Sequence, residues 1–353
     1  MHLTRRLIFA VLVMACSTGM ADHAVHWLPA EGSGYPANTF LSTEHLGTKL
    51  YLSDKPGKRP LVLLLHGSEG GTGFMEDFGV QETLRARGFH VLGAIYFDSS
   101  SSFPGPKALN QVRLESFMEE IKKYAQAHHE IIDSSEIGIV GVSLGGELSL
   151  LLASLYPEFK FVLALVPGDV VFQKHDPFGG SPWMHKDKEL PYVRFPILAW
   201  QSIKCFVMWN GFWISQYSPF EFLRWAPERM LCTGMMLDAM ERADNLEQAS
   251  IKVENINGPV LLVSGQDDIM WPSAFMSDRA LERLKKNNFT HPKGHLALPG
   301  GHGAWTEIWF QTLDILSAML ESEKNGDQTY REKANEILAR QMTQPDSQKH
   351  DEL

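Results

Sequence analysis

The sequence predicts a doubly wound, mostly parallel α/β sheet with an inserted, aromatic-rich cap. Two observations predict it: short apolar runs recur along the chain with helical stretches between them, and a glycine-flanked serine directly follows one of those runs. A strand buried on both faces of a parallel sheet reads as a continuous apolar run rather than an alternation. Its repetition with intervening helices means βαβ units.

The first such run is Leu61-Val62-Leu63-Leu64-Leu65, ending at His66-Gly67. Further strands are predicted at Val91 to Tyr96, Ile137 to Val140, Phe161 to Val166, Val260 to Val263 and Leu296 to Pro299. Helical periodicity predicts helices over Val112 to His128, Leu144 to Leu155, Ala274 to Lys286 and Thr306 to Leu320. In such sheets the ligand crevice lies outside the carboxyl ends of the strands, so residues just after each run are candidates for chemistry.

This rhythm defines one domain over residues 46–323. Residues 171–250 interrupt it with four of the nine tryptophans between Trp200 and Trp225, and they read as the cap. Within it, the apolar stretch from Phe195 to Ile214 is broken by Gln201, Lys204 and Asn210, so it does not read as a membrane span. Residues 22–45, rich in Gly, Pro and small polar residues, are expected to wrap the surface. Residues 324–353 are expected to form a polar tail containing a surface helix at 330–341.

The chain ends carry their own signals. Arg5 and Arg6 followed by the apolar Leu7 to Ala15, with small residues at Gly19 and Ala21, read as a signal peptide over residues 1–21. Val13-Met14-Ala15-Cys16 is a loose match to a bacterial lipidation box. His350-Asp351-Glu352-Leu353 reads as an address for a retention receptor of the endoplasmic reticulum. The expected location is therefore the secretory pathway: the lumen of that compartment in a eukaryote, the periplasm or exterior in a bacterium. Cys205 and Cys232 are candidates for one disulfide or for two buried thiols, and Asn288-Phe289-Thr290 is a glycosylation acceptor pattern.

The chain carries 32 basic and 42 acidic residues, a formal charge of −10. Loss of residues 1–21 would remove two arginines and no acid, leaving −12. That balance argues against nucleic acid as a partner. No His-Glu-x-x-His pattern or clustered Cys and His spacing suggests a metal, and no cofactor is expected.

The strongest chemical signal is Gly141-Val142-Ser143-Leu144-Gly145-Gly146, between a predicted strand and a predicted helix. A turn of this kind holds its serine in a strained conformation and projects the hydroxyl into the crevice, and flanking glycines avoid collision with nearby backbone. The first turn of the helix offers free N–H groups to a developing oxyanion. A serine hydroxyl needs a base within hydrogen-bond reach, and that base needs an acid to fix its tautomer. In the α/β-hydrolase fold the chain order is serine, acid, histidine. Gly265-Gln266-Asp267-Asp268 follows a strand, making Asp268 the candidate acid, with Asp267 its neighbour and Asp169 a weaker alternative. His302, within Pro299-Gly300-Gly301-His302-Gly303, is the candidate base, whereas His295 reads as lying at the start of the strand, away from the crevice. Backbone N–H groups of Leu144 and Ser68 are the candidate oxyanion donors.

Other segments extend the pattern: Gly88-Phe89-His90-Val91-Leu92 with Tyr96, Leu114-Glu115-Ser116-Phe117, Gly145-Gly146-Glu147-Leu148, Leu190-Pro191-Tyr192 and Trp271-Pro272-Ser273. In combination, residues 60–320 resemble the C-terminal catalytic domain of acyl-CoA thioesterases and bile acid-CoA:amino acid N-acyltransferases. The resemblance implies a nucleophile, acid and base at Ser143, Asp268 and His302. A serine nucleophile resembles the thioesterase branch. Two departures are an N-terminal region shorter than the β-sandwich of many relatives, and Leu144 where that family often has Lys. The expectation is a serine hydrolase acting on a small-molecule acyl thioester or ester. The alternatives are an acyltransferase passing the acyl group to an amine or alcohol, and a non-catalytic binding protein of the same fold.

Overall fold

The computed structural model describes residues 25–27, 49–68, 78–96, 112–174, 180–195 and 232–343. The signal segment expected at 1–21, most of 22–45, the terminal HDEL, Cys205 and the tryptophans of 200–225 lie outside the described residues, as does the side chain of Cys232.

The strands are β1 (Val25–Trp27), β2 (Lys49–Tyr51), β3 (Arg59–Leu65), β4 (His90–Ala94), β5 (Val112–Arg113), β6 (Ile132–Val142), β7 (Phe159–Leu165), β8 (Trp183–His185), β9 (Lys188–Glu189), β10 (Val260–Gly265) and β11 (Lys293–Leu298). The α-helices are α1 (Val80–Ala86), α2 (Leu114–Ala127), α3 (Leu144–Leu155), α4 (Cys232–Arg242), α5 (Leu246–Ala249), α6 (Ser273–Lys286), α7 (Trp309–Asn325) and α8 (Tyr330–Thr343). Eight strands form one sheet in the order β1-β2-β4-β3-β6-β7-β10-β11. β2 runs antiparallel to both of its neighbours, and every other pairing in this sheet is parallel.

Side-chain alternation explains why the runs are apolar throughout. In β3, Leu61, Leu63 and Leu65 enter one core, while Val62 and Leu64 enter a second core on the opposite face. The same split separates Val162 and Ala164 from Phe161, Leu163 and Leu165 in β7, so water reaches neither face. α2 covers the first face with Leu114, Phe117, Ile121 and Tyr124, a spacing that lines up one side of a helix. α7 covers the second with Trp309, Leu313 and Leu316. α8, expected at 330–341, adds buried Tyr330 and the partly buried Ile337 and Leu338 to that same core.

The chain order along the sheet reverses at β3, with β4 on one side and β6 on the other. A crevice forms at such a switch point, outside the strand ends. Ser68 follows β3 and Ser143 follows β6, so both candidates border it.

Two sequence expectations need correction. Val112 does not begin a helix; it lies in β5 and pairs with Trp183 of β8 in a small second sheet, β5-β8-β9. Its N–H bonds to the carbonyl of Pro182 at 2.9 Å, a long-range partner that periodicity within one segment cannot announce. His295 is not at the start of its strand either. It is the third residue of β11, opposite Leu262, and its ring is nearly buried.

Candidate active site

The chain turns from β6 into α3 at Ser143, which has φ 57° and ψ −119°. This is a costly conformation for a residue with a side chain. Its N–H bonds to Leu165 O of β7 at 2.8 Å, and its carbonyl accepts the N–H of Glu147 at 3.0 Å, so both sides of the turn are pinned. A Cβ on Gly141 would collide with the Gly145 carbonyl, and one on Gly145 with the carbonyl of His66. Glycine at both positions therefore lets α3 start directly against the ends of β6 and β3. Leu144 opens α3, where a backbone N–H has no intrahelical acceptor.

Asp268 lies just beyond β10 and is 6% exposed. Its Oδ2 is 2.8 Å from Nδ1 of His302 and accepts the hydroxyl of Ser273 at 2.6 Å. Its Oδ1 accepts the N–H groups of Met270 and Trp271 at 2.9 and 3.4 Å. Both oxygens are thus held, and the carboxylate cannot turn away from the ring. The Met270 and Trp271 bonds lie in the loop before α6, and Oδ2 also meets an imidazole from another loop, which capping a helix does not require.

Asp267 has a different task. Its N–H donates to Gly300 O at 2.9 Å, and its Oδ2 accepts the Gly300 N–H at 3.3 Å. It fastens the loop that carries His302. Gly300 has φ 102°, which favours glycine, and the Gly301 carbonyl occupies the space a Cβ on Gly265 would need. The third candidate, Asp169, forms a salt bridge with Arg279 at 2.9 Å and is engaged there rather than with His302.

His302 is part-buried, with Trp271 against its ring at 6.3 Å between centroids, edge to face. An imidazole that donates Nδ1–H to Asp268 presents Nε2 as an acceptor. Among the described residues no hydrogen bond joins Ser143 to His302. The two sit at the same rim of the sheet, beyond β6 and β11, with β7 and β10 between those strands.

Ser68 is the last described residue of the loop after β3, and the residue that orders this loop is one sequence reading passed over. His66 is buried and stacks on Tyr96 at 4.2 Å between ring centroids. Its Nε2 accepts the Tyr96 N–H at 3.3 Å, which leaves Nδ1 to donate to Gly67 O at 2.8 Å. Burial pushes its pKa down to about 4, so the ring is neutral. Ser273 was missed in the same way. A serine opening a helix is the commonest of signals and does not advertise a carboxylate partner.

Among the described residues no group of three His, Cys, Asp or Glu side chains is placed to hold a metal ion.

Serine first, aspartate second and histidine last, each after a strand of one mainly parallel sheet, is the order of an α/β-hydrolase, and the fold is of that class. Comparison with known families makes the assignment narrower. The sequence model described as BAAT / Acyl-CoA thioester hydrolase C terminal matches residues 112–303, and the chain belongs to that family. It is 26% identical over 246 residues to acyl-coenzyme A thioesterase 1 of Rattus norvegicus, covering 69% of this chain and 48% of that protein. It is 27% identical over 254 residues to acyl-coenzyme A amino acid N-acyltransferase 2 of the same organism, covering 72% and 51%. The chain spans about half the length of the curated relatives it matches. Among solved structures, a phosphonate-inhibited esterase B from Lactobacillus rhamnosis is 15% identical with a TM-score of 0.48, over 94% of this chain and 96% of the other.

Proposed function

We propose that this protein is a serine-dependent hydrolase of acyl thioesters or esters, with Ser143 as nucleophile, His302 as general base and Asp268 as the group that orients and charges against it. The observation that carries the reading is the 2.8 Å contact between Asp268 Oδ2 and His302 Nδ1 at the rim where the strained Ser143 turn also ends.

In the first half-reaction Ser143 Oγ attacks the acyl carbonyl carbon and its proton passes to His302 Nε2. The carbonyl π pair moves to oxygen, and the oxyanion is held by the N–H groups of Leu144 and Ser68. Collapse restores the carbonyl and breaks the bond to the leaving sulfur or oxygen, which takes the proton from His302. In the second half-reaction water attacks the acyl-enzyme, gives its proton to His302, and the acid departs as Ser143 recovers that proton. Asp268 holds the ring in place and stabilises the imidazolium.

Hydrolysis of p-nitrophenyl esters and acyl-CoAs of graded chain length, with Ser143→Ala as control, tests the proposal. Serine-dependent turnover on one series supports it, and equal rates for wild type and Ser143→Ala overturn it. The N-acyltransferase relative supports a second outcome, transfer of the acyl group to an amine. Adding an amino acid such as glycine to the same assay and weighing the product by mass spectrometry separates transfer from hydrolysis.

A further inference from the structure

Glu147 is four residues beyond Ser143, and its N–H bonds to the Ser143 carbonyl at 3.0 Å. Its side chain is buried and, among the described residues, meets no cation. Oε1 accepts the indole N–H of Trp183 at 2.7 Å, and Trp183 is fully buried on β8 of the small sheet. The Trp183 ring lies against Tyr96 at 5.9 Å between centroids, and Tyr96 stacks on His66, the residue that bonds Gly67 in the loop after β3. On its other side, Glu147 Oε2 and the Trp271 ring converge beside Gly168, 3.3 and 3.4 Å from where a Cβ on that glycine would lie. Trp271 is the ring that touches His302. One carboxyl group therefore stands where the serine turn, the loop after β3 and the histidine side of the crevice meet.

We propose that Glu147 is a positioning residue which, as an uncharged carboxyl group hydrogen-bonded to Trp183, clamps the first turn of α3 and so sets the Ser143 turn against the loop after β3. The catalytic half of this inference rests on the hydrolase reading above; the clamp itself does not. The groups facing Glu147 favour the neutral form. Among the described residues no basic side chain is paired with it, Trp183 and Trp271 are uncharged, and the titratable neighbour after β7 is Asp169, itself buried and held by Arg279. Burial is the main cause that pushes the Glu147 pKa up to about 8, Asp169 adds to it, and the Trp183 N–H opposes it. Above that pH the carboxylate would place a second negative charge in a dry site beside Asp169, drawing water into the packed turn.

Two measurements test the clamp. Nitrogen-15 NMR of the Trp183 indole in Ser143→Ala, assigned with Trp183→Phe, should show a titration near pH 8 that vanishes in Ser143→Ala/Glu147→Gln. An indole resonance that stays flat between about pH 6 and 9.5 overturns the clamp, whatever the enzyme assay shows. In the active chain, Glu147→Gln keeps a carbonyl acceptor for Trp183, so kcat at pH 7 should fall by no more than about threefold and the decline in kcat near pH 8 should disappear. Glu147→Ala leaves the indole unpaired and should lower kcat about 10- to 100-fold with little change in KM. A Glu147→Gln profile that declines at the same pH as wild type overturns the catalytic half. If the indole titrates but no ester or thioester is turned over, the hydrolase reading fails and the clamp stands as a purely structural device.

Discussion

The hydroxyl of Ser264 meets Nε2 of His295 at 2.6 Å, and Nδ1 of the same ring is 2.9 Å from Asp278. This is a complete serine, histidine and aspartate chain that shares no residue with the candidate site. Ser264 sits inside β10 with no exposed surface, so no acyl carbonyl can reach it. What the chain does is join β10, β11 and α6, and burial holds the pKa of His295 below its ordinary value. Ser264→Ala is expected to react with a fluorophosphonate probe as wild type does and to lose on the order of 1 kcal/mol of stability in urea. Ser143→Ala is expected not to react. Labelling that follows Ser264 instead would overturn the site assignment.

Adjacent aspartates with different partners should behave differently. Asp268→Asn replaces the oxygen that accepts from His302 and favours the wrong tautomer, so kcat should fall by about 10⁴-fold at pH 7. Among the described residues Asp267 bonds only the Gly300 backbone, so Asp267→Asn should cost about tenfold or less. Steady-state kinetics on one ester decide between them, and equal losses would show that the two roles are not separable.

The positive φ of Ser143 makes stability and activity pull in opposite directions. Ser143→Gly relieves the backbone and should be about 1 kcal/mol more stable than Ser143→Ala, which keeps the strain, and both should be inactive. Gly141→Ala puts a methyl group into the Gly145 carbonyl and should cost about 1–3 kcal/mol. Urea denaturation of the three variants provides the comparison, and a destabilised Ser143→Gly would contradict the strain argument.

Stability should depend on pH from two buried groups of opposite sign. His66 has its pKa depressed to about 4 by burial, so an unfolded chain binds a proton that the folded one refuses. Its contribution is present above about pH 6.5 and is lost as pH falls towards 4, by on the order of 3 kcal/mol. Glu147 has its pKa raised to about 8, so its contribution is present below about pH 4.5 and is lost as pH rises through 8. Urea midpoints measured across this range should show Glu147→Gln losing less stability than wild type between pH 5 and 8. Parallel curves for the two proteins would refute that sign.

Much of this arrangement was legible before folding. Helix α3 has the limits its periodicity predicts, Leu144 to Leu155, because the serine turn starts it and Tyr156-Pro157 follows it. The parallel strands lie where the apolar runs place them, although β6 begins at Ile132 rather than Ile137. The small sheet was not legible: β5, β8 and β9 have two or three residues each, too few to display a period. Nor was β2, whose three residues pair antiparallel to β4 without any apolar run to mark them.

By itself the sequence determined the class of fold and the order of serine, aspartate and histidine along it, because burial alternation, turn glycines and strand ends are encoded within about a dozen residues. Tertiary structure alone decided which of two neighbouring aspartates faces the imidazole, why His295 takes Ser264 and not the crevice, and that Glu147 ends on Trp183. Those choices depend on the register of β10 against β11 and of one sheet against another. A shift of β11 by a single residue would turn His295 to the opposite face of the sheet, away from Ser264.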